Sequence, residues 1–192
     1  MEKYNHLKEQ LKNSMTIDGV VQKRYFHSLE VAKKALELNE RLNLGLDASK
    51  VYLAGLLHDA AKLKSDDYLW SIIEKEFSEN LEMFRLSPPI WHSLAGPYVL
   101  KNEYNIHDEE ILSAICYHST GKENMTTLDK VLFVADYIED TRGKSWTKEA
   151  IDASFIDLDL TVKIILNQKV DFLKKNGKII CELTLKALNY YS

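Results

Sequence analysis

His58 and Asp59 stand side by side at the end of an apolar run, Ala54-Gly55-Leu56-Leu57-His58-Asp59-Ala60-Ala61-Lys62. Burying an imidazole beside a carboxylate is costly unless a metal ion or hydrogen bonds compensate it. Both are metal-ligand types, imidazole suiting Zn, Fe or Ni and carboxylate bridging harder ions. Read as helix, the run puts Lys62 at i+4 from His58 and i+3 from Asp59, so the three share one edge. A cation would then stand beside a candidate metal site, where an anionic substrate has to sit. Gly55, four residues before Asp59, is expected to leave space near the carboxylate. The pair by itself fits an ordinary amphipathic helix ending in a polar turn equally well, since motifs this short recur by chance.

The same pattern returns elsewhere in the chain. Arg24, His27 and Val31 fall at i, i+3 and i+7, which turns His27 toward the core with an arginine one turn before it. A lone histidine there also fits a satisfied core residue. His92 falls in the first turn of a helix opened by Ser87-Pro88-Pro89, where the dipole disfavours the imidazolium and leaves a neutral, metal-competent ring. His118 extends the apolar face of Ile111, Leu112 and Ile115. Next to it, Ser119, Thr120 and Gly121 offer hydroxyls and backbone N–H groups to phosphate oxygens, or a capping turn with Gly121 in the left-handed region. Asp136 interrupts Phe133-Val134-Ala135-Asp136-Tyr137-Ile138; unpaired it would stay protonated, and beside a cation it is inexpensive. Glu139 and Arg142 follow near that helix end, where Arg142 could reach an anion.

The elements that must position these groups read as helix after helix. Asp18 is expected to cap a helix to about Leu42, with Val21, Tyr25, Leu29, Ala32, Leu36 and Asn39 on one face and Gly45 at its C′ position. Asp47 caps the His-Asp helix, expected from Ala48 to Leu63; Ser65 or Asp66 opens another through Phe77, and 78–86 is left unassigned. After Ser87 as N-cap, Pro97 should kink its helix or remove a hydrogen bond. Asp108 caps the helix that ends at His118, and Thr126 or Thr127 caps the one that runs from Leu128 to Ile138. The remaining segments, Thr147 to Phe155, Asp157 to Lys175 and Glu182 to Tyr191, carry stripes such as Ile151, Phe155, Val162, Ile165, Leu183 and Leu185 and read as scaffold. His6 reads as solvated, and His107 fits no buried stripe.

Composition narrows the function classes. With 192 residues, 45% hydrophobic and 28% charged, the chain can bury a full core as one domain. A net charge of −4 and the lack of a basic tract give no footprint for nucleic acid. No apolar run reaches the length of a membrane span, the polar start is no signal peptide, and the two cysteines, Cys116 and Cys181, imply no disulfide framework. The cytoplasm is the expected compartment.

In combination, the order His27 … His58-Asp59 … His92 … His118 … Asp136 resembles the HD superfamily of metal-dependent phosphohydrolases. More closely, Arg24-x-x-His27-Ser28, Leu56-Leu57-His58-Asp59-x-x-Lys62, Tyr117-His118-x-Thr120-Gly121 and Ala135-Asp136-Tyr137-Ile138-Glu139-x-x-Arg142 look like the YqeK family. The departures (Ala60-Ala61, Pro97, Ser119 and Asp140-Thr141) remove no candidate ligand.

The resemblance implies an all-α fold, an HD-domain helical bundle with additional C-terminal helices. It makes 1–192 a single domain with a metal-site core at about 18–142 and a helical scaffold at about 146–192. It also implies symmetrical hydrolysis of diadenosine tetraphosphate to two ADP. His27, His58, Asp59 and Asp136 would suffice for one metal ion, and His92 and His118 supply a second with Asp59 bridging. Two ions roughly 3.5–4 Å apart clamp a phosphate and generate hydroxide near neutral pH. Asp59 and Lys62 are the expected catalytic residues; Arg24, Lys62, Ser119, Thr120, Gly121 and Arg142 are the expected substrate contacts. The family favours iron, while the ligand types alone allow Mn, Co or Zn as well. Co-purification of ADP or GDP as product and a homodimer are both left open. Two alternatives remain: another nucleotidase acting on mono- or diphosphates or alarmones, and an idle nucleotide-binding module.

Overall fold

In the computed structural model, which describes residues 4–140 and 147–192, the chain is built from helices with a single short hairpin among the described residues. After α1 (Asn5–Ser14) come β1 (Thr16–Ile17) and β2 (Val20–Val21), then α2 (Lys23–Arg41), α3 (Ala48–Leu57), α4 (Asp66–Glu76) and α5 (Leu81–Arg85). A 3₁₀ turn, Pro88–Ile90, leads into α6 (Trp91–Glu103), followed by α7 (Glu109–Tyr117), α8 (Thr127–Ile138), α9 (Lys148–Ser154), α10 (Leu158–Lys175) and α11 (Glu182–Tyr190). The expected all-α bundle with extra C-terminal helices is therefore present.

Helix starts follow the local rules. Asp47 accepts from the N–H groups of Ser49 and Lys50, Asp108 from those of Glu110 and Ile111, and Asp157 from that of Leu160. Ser65 caps α4, and Thr126 forms a reciprocal capping box with Asp129.

Several expected boundaries are corrected. Asp18 is no cap: with Gly19 it has positive φ (50° and 77°), as a type I′ hairpin turn requires, and α2 begins only at Lys23. The buried face of α2 is Tyr25, Ser28, Val31, Ala32, Ala35 and Leu38, while Leu29 and Leu36 are half-buried. The left-handed residue that ends α2 is Asn43 and not Gly45, with Leu44 N donating back to Asn39 O at 3.1 Å. α3 stops at Leu57 instead of Leu63. Ser87 makes no side-chain cap hydrogen bond, and α6 continues through Pro97, which has no N–H to give to the helix ladder, as expected. In the C-terminal segments Ile151 and Leu185 are exposed, and Ala150, Ala153, Thr184 and Ala187 are the residues turned inward.

α2, α3, α7 and α8 pack against one another and hold the centre of the core, where Val31, Leu38, Leu56, Leu57, Ile115, Leu132 and Phe133 are fully buried or nearly so. α6 lies across α7 and α4, and α10 packs on α8, α9 and α11. Gly55 is what lets α3 lie so close to α2. A Cβ there would come within 2.6 Å of Ala32 Cα, so the missing side chain serves helix contact and opens no space beside Asp59.

Candidate metal centre

The central helices each deliver a polar side chain to one place. α2 brings Arg24 and His27, the end of α3 brings His58 and Asp59, α6 brings His92, the end of α7 brings His118, and α8 brings Asp136. His58 is the C-cap residue of α3, and beyond it the chain turns tightly, with Ala60 N bonded to Leu57 O at 3.0 Å and Lys62 N to Asp59 O at 2.8 Å. Lys62 therefore reaches the site from a turn and not along a helix edge.

His58 and His118 are oriented by one device. Each closes its helix, and each Nδ1 lies 2.7 Å from the carbonyl three residues earlier, of Gly55 and of Ile115. A carbonyl only accepts, so Nδ1 carries the hydrogen and Nε2 is turned to the centre. His27 is held alike by a carboxylate: its Nδ1 is 3.2 Å from Glu139 Oε1, while its Nε2 is 3.0 Å from Asp136 Oδ1.

The donors form two sets that share Asp59. In the first, His27 Nε2 and His58 Nε2 are 3.2 Å apart, and Asp59 Oδ2 is 3.7 and 3.2 Å from them. Asp136 Oδ1 completes it, 3.8 Å from His58 Nε2. In the second, His92 Nε2 and His118 Nε2 are 3.2 Å apart, and Asp59 Oδ1 is 3.2 and 3.8 Å from them. Donors held tetrahedrally at about 2.1 Å from an ion stand about 3.4 Å apart, which is the spacing seen in both sets. Nε2 atoms facing each other at 3.2 Å repel unless positive charge lies between them. The residues present thus fit bound metal: His27, His58 and Asp136 are mutually close enough to hold an ion, and His58, Asp59 and His118 form an overlapping group of the same kind that draws on His58 from the first set.

The electrostatics of the cluster follow from burial and from the two carboxylates. Burial by itself would raise the Asp59 carboxyl, but the adjoining His58 and the hydrogen bond to His92 hold it well below the usual carboxylate range. Burial pulls His118 well below the ordinary histidine value, with the charges of His58 and His92 acting in the same sense. Burial also lowers His92, against the pull of Asp59. For His58 burial is outweighed by Asp59 and Asp136, and the group is raised. Cations approach from two sides: Arg24 Nη1 donates to Asp59 Oδ2 at 2.8 Å, and Lys62 Nζ lies against the His92 ring, 3.1 Å from Nδ1 and 3.4 Å from Nε2.

A cavity of about 800 Å³ opens over this cluster, within the range of small-molecule sites. Asp59, His92, His118 and Asp136 line its metal end, with Arg24, Lys62 and Ser119 beside them. Ser119 Oγ lies 3.2 Å from His118 Nε2 and 3.3 Å from His92 Nε2. Thr120 and Gly121 are not at the cavity. The Thr120 hydroxyl is buried and donates to Gly121 O, and Gly121 faces Ala187, Leu166 and Phe133. Arg142 lies outside the described residues.

Two contributions escape the sequence reading. Glu139 reads as a polar residue at a helix end, yet it is buried behind His27, three residues from Asp136; that spacing was the available signal. The C-terminal segments are more than scaffold, because Lys169, Phe172, Leu173, Lys178, Ile179 and Thr184 line the cavity and Lys169 Nζ donates to Ser119 O at 2.9 Å.

Comparison with known proteins agrees with this geometry. Residues 24–141 match the family model of the HD domain. The chain is 36% identical over 157 residues to the symmetrical bis(5′-nucleosyl)-tetraphosphatase of Bacillus subtilis (strain 168), covering 81% of this chain and 83% of that protein. It is 35% identical over 173 residues to the protein of the same name from Staphylococcus aureus (strain NCTC 8325 / PS 47), covering 89% and 88%. A crystal structure described as a predicted HD superfamily hydrolase involved in NAD metabolism from Clostridium acetobutylicum matches with a TM-score of 0.90 at 31% identity, covering 98% of this chain and 96% of that one.

Proposed function

The chain belongs to the HD domain family, and from that premise we propose that it hydrolyses diadenosine tetraphosphate symmetrically to two ADP, as its tetraphosphatase relatives are named to do. One observation carries the reading: Asp59 turns one oxygen to the His27–His58 pair and the other to the His92–His118 pair, at the end of a nucleotide-sized cavity. His27, His58, Asp59 and Asp136 would hold one ion, and Asp59, His92 and His118 a second, with iron favoured over Mn, Co or Zn. When bound, such ions supply Lewis acidity toward phosphate oxygens and a nucleophile at neutral pH.

The chain's own groups bind and orient the substrate. Arg24 and Lys62 supply positive charge at the metal end, where charge develops on the phosphates, and Ser119 offers a hydroxyl beside them. Thr120 and Gly121 act through the turn that presents Ser119, their own N–H groups both donating to Tyr117 O. Arg142, four residues after Ile138, joins the phosphate contacts in this reading. Glu139 fixes the His27 ring from behind.

The whole of 1–192 acts as one domain, since the C-terminal helices wall the same cavity. No described helix is long and apolar enough to cross a membrane. The reading places the enzyme in the cytoplasm, leaves a homodimer open and allows ADP or GDP to co-purify as product.

The test is chromatography of early products from metal-loaded protein and diadenosine tetraphosphate. ADP as the sole product is expected. ATP and AMP in equal amounts would refute the symmetrical cut, and an intact substrate would refute the activity.

A further inference from the structure

We propose that the end of the cavity remote from the metal donors is a nucleobase cleft, with Phe172 as its stacking platform. The inference rests on the proposed action on a dinucleoside polyphosphate and assigns the part of the substrate that the metal end does not engage. Large apolar side chains are strongly exposed on the lining of this one cavity: Leu86 at 60%, Phe172 at 64% and Ile179 at 54%. They belong to two walls, one from the Leu86–Ile90 stretch and one from the end of α10 and the segment before α11. The walls are tied together at their edge, where Cys181 Sγ is 3.8 Å from Met83 Sδ and Glu182 N donates to the same sulfur at 2.9 Å.

Charge complementarity identifies the occupant. The lining also carries cations: Arg24 and Lys62 against the donors, Lys169 bonded to Ser119 O beside His118, and Lys178 next to Ile179. Lys169 and Phe172 are three residues apart on α10 and so share one helix face, with Leu173 one residue on. A ligand that is polyanionic at one end and flat and apolar at the other matches this order, and a nucleoside diphosphate has that form. Stacking on an aromatic face is tolerant of base identity, so Phe172 holds adenine and guanine alike and contributes to affinity without choosing between them.

The test compares Phe172→Ala, Phe172→Tyr and the unsubstituted protein, all metal-loaded, by calorimetric binding of ADP and of pyrophosphate and by KM and kcat on diadenosine tetraphosphate. Phe172 is exposed, so its truncation leaves the fold intact. For Phe172→Ala, ADP affinity is expected to fall about 10-fold or more, with pyrophosphate affinity unchanged and the kinetic loss in KM rather than kcat. Phe172→Tyr should restore ADP binding.

An unchanged ADP affinity in Phe172→Ala overturns the cleft, as does an equal loss for ADP and pyrophosphate, which would make Phe172 a support for cavity shape. A concentration-dependent dimer that dissociates on Phe172→Ala assigns the platform to a second copy and overturns it too, and so does unsubstituted protein that binds no ADP. Protein that binds ADP through Phe172 yet leaves diadenosine tetraphosphate intact keeps the cleft and removes the hydrolase reading.

Discussion

The Glu139 carboxylate meets Nδ1 of His27 at 3.2 Å, on the opposite side of the ring from Asp136, and both side chains are largely withdrawn from water. This contact settles which ring nitrogen faces the donor cluster. Glu139→Gln keeps the shape, but its amide can turn an N–H toward the ring and favour the wrong tautomer. We expect metal affinity at the His27 set to fall about 10- to 100-fold, measured by competition with a chelator of known affinity. Unchanged affinity would make Glu139 a bystander.

Asp59 turns Oδ2 toward His58 and Oδ1 toward His92, one oxygen to each donor set. In the proposed two-ion reading, Asp59→Asn is expected to leave no ion that survives gel filtration where the unsubstituted chain keeps two, read by elemental analysis. One retained ion would show that the sets are independent.

Lys62 acts on the substrate in our reading, and it rests against the His92 ring. Lys62→Met preserves most of the stem's packing and deletes the charge. Metal content should stay at the unsubstituted level and turnover should drop by about 10²-fold. Full turnover would reduce Lys62 to a solvated turn residue.

Gly55 gives a stability prediction of determinate sign. Alanine improves helix propensity by about 1 kcal/mol, yet its Cβ would stand 2.6 Å from Ala32 Cα, an atom of the α2 backbone that cannot swing aside. Overpacking costs typically 1–3 kcal/mol, and here the obstacle is main chain, so the net effect is destabilising. At about 2–4 °C per kcal/mol for a domain of this size, Gly55→Ala should melt several degrees lower by calorimetry. An unchanged or raised melting temperature would contradict the close approach.

Burial pushes the Cys116 thiol up to about 12, and Cys181 is raised for the same reason. The thiolate is the reactive form, so both should be silent toward a disulfide reagent at pH 8 in the folded protein and both should titrate after denaturation. Rapid labelling of Cys116 in the native state would show that the α7 core opens.

What the sequence disclosed was what local chemistry determines. Asp47, Asp108 and Thr126 cap helices with their own side chains, and each was legible because the partner N–H lies two or three residues away. His58, His118 and Asp136 were legible because polar groups on apolar stripes are expensive. The end of α3 was not, since no Gly or Pro follows Leu57 and the apolar pattern continues through Ala60 and Ala61, which are buried in the turn. Gly55 was misread because its reason lies on α2, more than twenty residues upstream. Lys169 and Phe172 carry no local mark of function, and only the packing of α10 against α8 brings them to the cavity.

The bonds from His58 to Gly55 O and from His118 to Ile115 O tie each imidazole to the last turn of its own helix. The aim of each ring is then a matter of helical phase, and one inserted or deleted residue within α3 or α7 would swing it by about 100°. Such a change would leave composition, propensity and core volume nearly untouched while scattering the donors. Length variation is consequently confined to segments between the elements, and the residue counts of α3 and α7 are fixed by the need to keep two rings pointing at one carboxylate.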